Sequence, residues 1–403
     1  MPIASSVQAT RLLRLQLGQE STWGSVATAT SILHGTAPTP TITPMFKNTQ
    51  FDEQLGALTP SFRSAQLANG AAWTHSGNVL YEDILYTLAQ AFGLPTPALV
   101  SPKTITAISK ATAAVVTAAS HGFVTGQSVL ITGSNSSPVI DGVQVVTRID
   151  ANSFSVPVNT SAGSTGSAGS VSGTVSYTFI PPVAATFTPA SYTMELGNIG
   201  DSPADCIRAL GCLLNTWSIK GEQQKEMTYT AAGFAKSAAM GTLTPALGFR
   251  TVETALTPEV ALSLDIAGAT PGTTAFASIL ATFELSGTTG LQAVYAGGSL
   301  TPPTFTYAKQ DLGLKLAVLY NATLATYLGS NPVAGLPMIV DLKSTSGVKS
   351  LEIQYSGVLK SDPVYWGDNQ SAQLIELDLG AQYDTALANY AKIIVTNTVV
   401  ALP

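Results

Sequence analysis

The residues best able to do chemistry are three histidines, two cysteines and a few neighbouring carboxylates, and their spacing argues against a reactive site. His34, His75 and His121 are scattered along 403 residues. None has a second His, a Cys or a paired carboxylate at the short intervals that metal ligands need. Each reads as an ordinary turn or surface residue. Cys206 and Cys212 lack the two-residue gap of redox and zinc pairs, so both read as free, buried thiols in a chain made in a reducing cytoplasm. Asp201 with Asp205, and Glu82 with Asp83, are the nearest approach to acid pairs. Their closeness in sequence is what a helix cap or a helix face produces without any acid–base role.

The remaining motifs are absent. There is no G-x-S-x-G elbow, no phosphate-binding G-x-x-x-x-G-K, no dinucleotide fingerprint after a strand and no calcium loop. Lys220, Lys225 and Lys236 form the nearest thing to a basic cluster, and Glu222 and Glu226 neutralise it. Trp217 and Trp366 read as core or interface anchors rather than base-stacking platforms, because aromatic and basic residues are not interleaved. No catalytic residue, metal ligand or cofactor is therefore expected.

Composition carries more information. Asp, Glu, Lys and Arg make up 10% of the chain against 45% hydrophobic residues, where an ordinary soluble domain has about 25% charged residues. A surface so poor in charge is suited to burial against other chains. The formal charge of −6 argues against standing affinity for a phosphate backbone, which requires Lys and Arg to displace counterions. The N-terminal run carries Arg11 and Arg14 within its apolar residues rather than ahead of them, unlike a secretion signal. No stretch is apolar for long enough to span a membrane as a helix.

The element that organises the sequence is an amphipathic helix over Asn78 to Gly93. Asn78 is a favoured N-cap, Glu82 and Asp83 place negative charge in the first turns, and Gly93 stands at the C-terminal cap. Leu80, Ile84, Leu88 and Phe92, with Leu85, fall on one side and predict a single buried stripe. A weaker copy spans Asn321 to Gly329. The surroundings read as strands: Ala9 to Gln19, Ala71 to His75, Ser191 to Leu196, Glu226 to Ala235, Gly313 to Val318, Met338 to Leu342, Lys349 to Leu359, Gln373 to Leu379 and Ala391 to Thr398. Residues 21–63 read as a long Thr- and Pro-rich loop suited to reaching a neighbour, with an extended piece at Thr39 to Pro44. Strand material also runs from Ala204 to Ile219, although Asp201-Ser202-Pro203 offers a cap for a helical turn through Leu210. A connection over Gly241 to Pro271 leads to a second opening strand at Ala275 to Leu285.

Residues 101–177 stand apart. Their strand candidates are short and evenly spaced, ending with Thr174 to Phe179, and a Ser/Gly-rich tip runs over 160–170. They read as a small all-β module inserted into an exposed loop of its host. The predicted organisation is a first domain of residues 1–100 plus 178–255, the inserted module, and a second domain of residues 256–403. The second domain reads as a repeat of the order of the first, with two unrelated β-rich domains as the alternative: Gly211 to Ile219 is echoed by Gly357 to Trp366, each followed by a polar turn and another strand.

This order resembles the major tail tube proteins of long, non-contractile tailed bacteriophages. The resemblance rests on the capped helix Asn78 to Gly93, the strand pair within Gly211 to Ala235, the second pass ending in Leu374 to Asp384, and the closing strand Ala391 to Thr398. It covers the chain apart from about 101–178. It implies a mainly β fold of two tail-tube-type barrel or sandwich domains, each with a packed helix, and the insert as a surface decoration. It further implies a non-enzymatic virion protein, assembled in the bacterial host cytoplasm, whose rings stack into a tube through which DNA passes. Two tube domains per chain imply a trimeric ring with pseudo-sixfold symmetry, and one implies a hexamer. The implied partners are copies of itself and the tape measure, tail tip and terminator proteins. Two alternatives stand beside this. One is a carbohydrate-binding or depolymerising β-protein, secreted or virion-borne; the other is a capsid decoration or tail terminator protein.

Overall fold

A computed structural model of the chain describes residues 13–34, 40–51, 63–183, 187–199, 205–330, 336–361, 364–369, 372–400 and 402, with side chains described throughout except at 330 and 364–369. Strand accounts for 54% and helix for 6%, so the fold is mainly β.

The chain opens with β1 (Leu13–Gln19) and β2 (Ser31–Leu33), then runs through β3 (Thr41–Phe51) and β4 (Arg63–Asn78) into α1 (Ile84–Phe92). β5 (Ala98–Leu99) leads to eight short strands: β6 (Lys103–Thr104), β7 (Ala107–Ile108), β8 (Ala114–Thr117), β9 (Ser128–Thr132), β10 (Gly142–Val145), β11 (Thr147–Arg148), β12 (Ser153–Val156) and β13 (Ser170–Ser172). Next come β14 (Val175–Phe179), β15 (Tyr192–Asn198), β16 (Asp205–Glu222), β17 (Thr228–Ala235) and β18 (Ser237–Thr242). The second half holds β19 (Val260–Ile266), β20 (Leu280–Thr288), β21 (Leu291–Val294), β22 (Thr304–Tyr307), β23 (Asp311–Leu319), α2 (Ala322–Ser330), β24 (Met338–Ser346), β25 (Lys349–Leu359), β26 (Val364–Asn369), β27 (Ala372–Ala381) and β28 (Ala391–Asn397).

The pairings repeat. In the first half the order across one sheet is β3-β4-β17-β16, and in the second it is β20-β23-β27-β26. A second layer runs β1-β15-β16-β18 in the first half and β19-β24-β25-β28 in the second. The helix follows β4 in one half and β23 in the other. β16 serves both layers, because it bends at Gly211 (φ +66°), where a Cβ would lie 2.7 Å from the indole nitrogen of Trp23. In the second half that job is divided between β25 and β26. The halves are joined edge to edge by β16 and β20, paired from Thr216–Thr288 to Glu222–Thr282.

One hydrophobic core runs through both halves, from Leu15 and Trp73 to Ile393 and Val395. The segment holding β6 to β13 forms two four-stranded sheets around a core of its own, built on Ile105, Val116, Ile131, Phe154 and Val171.

Several expectations need correction. The helix begins at Ile84 rather than at Asn78. Asn78 still pairs with Thr228, Val79 N–H donates to Met227 and Tyr81 N–H to Glu253, so this backbone is committed to the sheet and cannot coil. Every residue of α1 is buried rather than one stripe, because sheet lies on more than one side of it; Phe92 meets Trp217 edge-on at 5.5 Å, and Tyr86 meets Tyr192 at 6.1 Å. Much of the expected loop over 21–63 is strand: β3 and β4 pair from Thr41–Thr74 to Phe51–Arg63, and Pro44 is tolerated there because β3 is an edge strand. Asp201 to Pro203 lie outside the described residues, but Cys206 to Leu210 are strand, held by β15 on one side and β18 on the other. β19 lies inside the expected connection 241–271. β14, assigned above to the module, pairs instead with β28 and β5 of the large sheet. The helix at Asn321 forms as read, with Asn321 Oδ1 accepting from Leu324 N–H at 2.7 Å.

Candidate assembly surface

The residues singled out as chemically capable do not converge. Asp83 accepts from His34 Nδ1 at 3.1 Å through Oδ2, and from Arg250 Nη2 at 2.7 Å and Nε at 3.1 Å through Oδ1. Glu82 is turned away from it, toward Lys349 Nζ at 2.6 Å and Glu253 N–H at 2.9 Å. These two neighbours are therefore separate buried ion-pair anchors, each tying the entry of α1 to a distant segment. His75 stacks in the core on Trp73, and His121 sits among Phe123 and Phe154 in the inserted segment. Cys206 and Cys212 are free and buried, and burial pushes the Cys206 thiol up to about 11. Asp205 is exposed at the start of β16. Trp217 is a core residue, and the side chain of Trp366 lies outside the description. Among the described residues no three His, Cys, Asp or Glu side chains are grouped as metal ligands would be.

What the strands do assemble is a continuous polar face. The strands β4, β17, β16, β20, β23 and β27 alternate in the ordinary way. Tyr229, Ile219, Leu285, Leu314 and Leu379 point to the core, and their neighbours point out. Across the sheet the outward residues line up in rows. One row reads Asn78, Thr228, Lys220, Glu284, Lys315, Asp378, each opposite the next. Its last four members alternate in charge, the favourable arrangement for cross-strand neighbours. The next row reads Ser76, Thr230, Ser218, Ser286, Gly313, Gly380. A third reads Thr41, Thr74, Ala232, Thr216, Thr288, Asp311. Hydroxyls bond along the rows, Ser218 to Thr230 at 2.8 Å and Thr41 to Thr74 at 2.7 Å.

Part of the charge on this face is held in ion pairs. Glu222 binds Lys225 at 2.5 Å and Lys220 at 2.9 Å, which together pull its carboxyl down to about 2. Lys360 lies 3.3 Å from Asp378. Of the lysine cluster read from the sequence, Lys236 belongs elsewhere, 5.0 Å over the ring of Trp23. Glu226 is exposed beyond the bridge to Leu256 rather than on the lysines.

Two further features frame the face. Among the described residues β3 pairs with β4 alone and β26 with β27 alone, which leaves the sheet open there at both ends. An open edge presents backbone donors and acceptors ready for another strand. The β3–β4 hairpin also carries exposed apolar side chains, Met45 at 55%, Phe46 at 58% and Leu67 at 50% exposure, beside Tyr295 of the β21–β22 hairpin at 49%. Such a patch is unusual on a surface that meets only water.

The rows were missed because a row is a relation between strands. The signal available in the sequence is the every-other-residue polar pattern of Thr216, Ser218, Lys220, Glu222 and of Thr282, Glu284, Ser286, Thr288. No known protein-family model matches the chain, and no curated protein matches it in sequence.

Proposed function

We propose that this chain is a structural protein that joins copies of itself edge to edge into rings, and that the rings stack into a hollow tube of the kind found in long, non-contractile phage tails. The observation that carries the reading is the eight-stranded sheet β3-β4-β17-β16-β20-β23-β27-β26, open at both ends among the described residues, whose strands β4 to β27 are apolar on one face and hydroxyl-rich and charge-balanced on the other. Three copies of eight strands, with β3 of one meeting β26 of the next, close a barrel of twenty-four strands and remove every open edge of that sheet. The repeated four-strand order within the chain then gives a threefold ring near-sixfold symmetry, with each half acting as one tube-type domain.

The polar face becomes the lining. A wall of Ser and Thr with its lysines matched by carboxylates lets DNA pass without holding it, since retention needs unmatched cations against phosphate. The inserted segment 101–173 lies outside the barrel as a decoration. Copies of the chain are the principal partner; tape measure, tip and terminator proteins follow from the same reading, as does a place in the virion.

Electron microscopy and sizing of the purified chain test this. The expected result is threefold rings or tubes with a central hole. A compact monomer at every salt concentration and protein concentration tried would overturn it.

A further inference from the structure

A second polar site is buried in the other layer of the second half, beneath the turn that joins β19 to the segment leading into β20. Asp341 of β24 is 7% exposed, yet its Oδ1 has no hydrogen-bond partner. On its strand neighbours it faces Ser263 of β19 and Gln354 of β25, both also buried. Above it passes Gly272, where a Cβ would come within 2.8 Å of Asp341 Oδ2. The turn itself is held by two other aspartates. Asp265 accepts from Thr273 N–H at 3.1 Å and Thr274 N–H at 2.8 Å, and Asp384 accepts from Gly268 N–H at 2.8 Å.

The charges around Asp341 do not neutralise it. Asp265 faces it from β19 and Glu352 from β25, while Lys343 on its own strand is drawn to Glu352 at 2.7 Å. Lys392 of β28 lies beyond Gln354 in the same row, and Tyr327 of α2 faces Asp265. A carboxylate in that place is buried, beside two more acids and under a backbone that leaves no room for a solvating side chain. Burial first, then Glu352 and Asp265, push the Asp341 carboxyl up to about 7, with Lys343 opposing.

We propose that Asp341 is a proton-keyed clasp: protonated, it seats the 267–274 turn over the β19–β24–β25 layer, and ionised, it loosens that turn. The sign follows from linkage. The closed turn holds the proton up to about pH 7, whereas the open turn, with Asp341 in water, releases it near the ordinary value of about 4. The opening equilibrium therefore rises up to tenfold per pH unit between those values and levels off above about pH 7. The clasp is closed in acid and loosest at neutral pH and above.

Hydrogen exchange by mass spectrometry on the full-length chain tests the inference, with rates corrected for the intrinsic pH dependence of amide exchange. In the wild type, opening of residues 267–275 is expected to rise at least tenfold from pH 5 to pH 7 and to change little from pH 7 to pH 8.5. Asp341→Asn and Asp341→Ser are each expected to abolish that rise, and either folded variant suffices. Asp384→Asn is expected to weaken the turn at every pH while leaving the rise in place. A turn whose opening is constant from pH 5 to pH 7 in the wild type, or one that keeps the same rise without the Asp341 carboxyl, would overturn the proposal.

Discussion

The imidazole of His75 lies flat against the indole of Trp73, with 5.2 Å between ring centroids and 13° between planes. Tyr229 meets the same imidazole edge-on at 5.6 Å. His75 is buried and its Nδ1 has no partner. Burial lowers its pKa from 6.5 to about 4, because a charged ring would lose its hydration with nothing in exchange.

The sign of the resulting pH dependence is fixed. The unfolded chain takes up a proton near pH 6.5 and the folded chain only near pH 4, so stability from this site is full above pH 6.5 and falls as pH drops toward 4. The total is about 3 kcal/mol. Asp341 works in the opposite direction over much of the same range, so the measurement must be a difference between variants. Chemical denaturation of wild type and His75→Phe at pH 7.5 and pH 4.5 should show the wild type losing about 2–3 kcal/mol relative to the variant in acid. Parallel loss in both proteins would refute the assignment.

Arg250 holds Asp83, which is 2% exposed, through Nε and Nη2, and reaches Tyr86 Oη at 2.8 Å through Nη1. Removing the guanidinium leaves a buried carboxylate with His34 as its remaining side-chain partner. Arg250→Ala is expected to cost about 3 kcal/mol. Arg250→Lys should recover less than half of that loss, since one ammonium cannot replace a fork that reaches both the carboxylate and the phenol. Urea titrations of the three proteins check both statements.

Met45 and Phe46 are more than half exposed on the β3–β4 hairpin. In an isolated chain, changing them to glutamate should move unfolding free energy by no more than about 0.5 kcal/mol. If the hairpin meets a neighbouring copy, the double variant Met45→Glu, Phe46→Glu should still bind its fold but fail to form tubes by negative-stain microscopy. Unimpaired tubes would remove the hairpin from the interface.

The inserted segment enters and leaves through adjacent strands. Leu99 pairs with Val175, and Val100 N–H donates to Thr174 at 3.0 Å. An Asn-Gly turn in place of residues 101–173 can therefore close β5 onto β14 as a hairpin. The shortened chain is expected to melt within about 5 °C of the full chain, losing mainly the packing of Leu130 against the large core. Calorimetry decides it, and a chain that no longer folds would mean that the insert is part of the host core.

The sequence by itself determined the element types wherever one strand or helix carries its own periodicity. Gly313 to Val318 and Ala391 to Asn397 could be read directly, because each alternates between core and surface. The capped start of α2 at Asn321 is likewise a local signal. Only the tertiary structure decided where α1 begins, since the backbone of Asn78 to Tyr81 is claimed by Met227, Thr228 and Glu253, remote in the chain. It also decided that Arg63 to Asn78 extends a hairpin, that Val175 to Phe179 belongs to the large sheet, and that Lys220, Glu284, Lys315 and Asp378 stand in one row. The physical reason is the same in each case. A strand's hydrogen-bond partners and its register are chosen by segments remote in sequence, and no local pattern of residues encodes which ones they are.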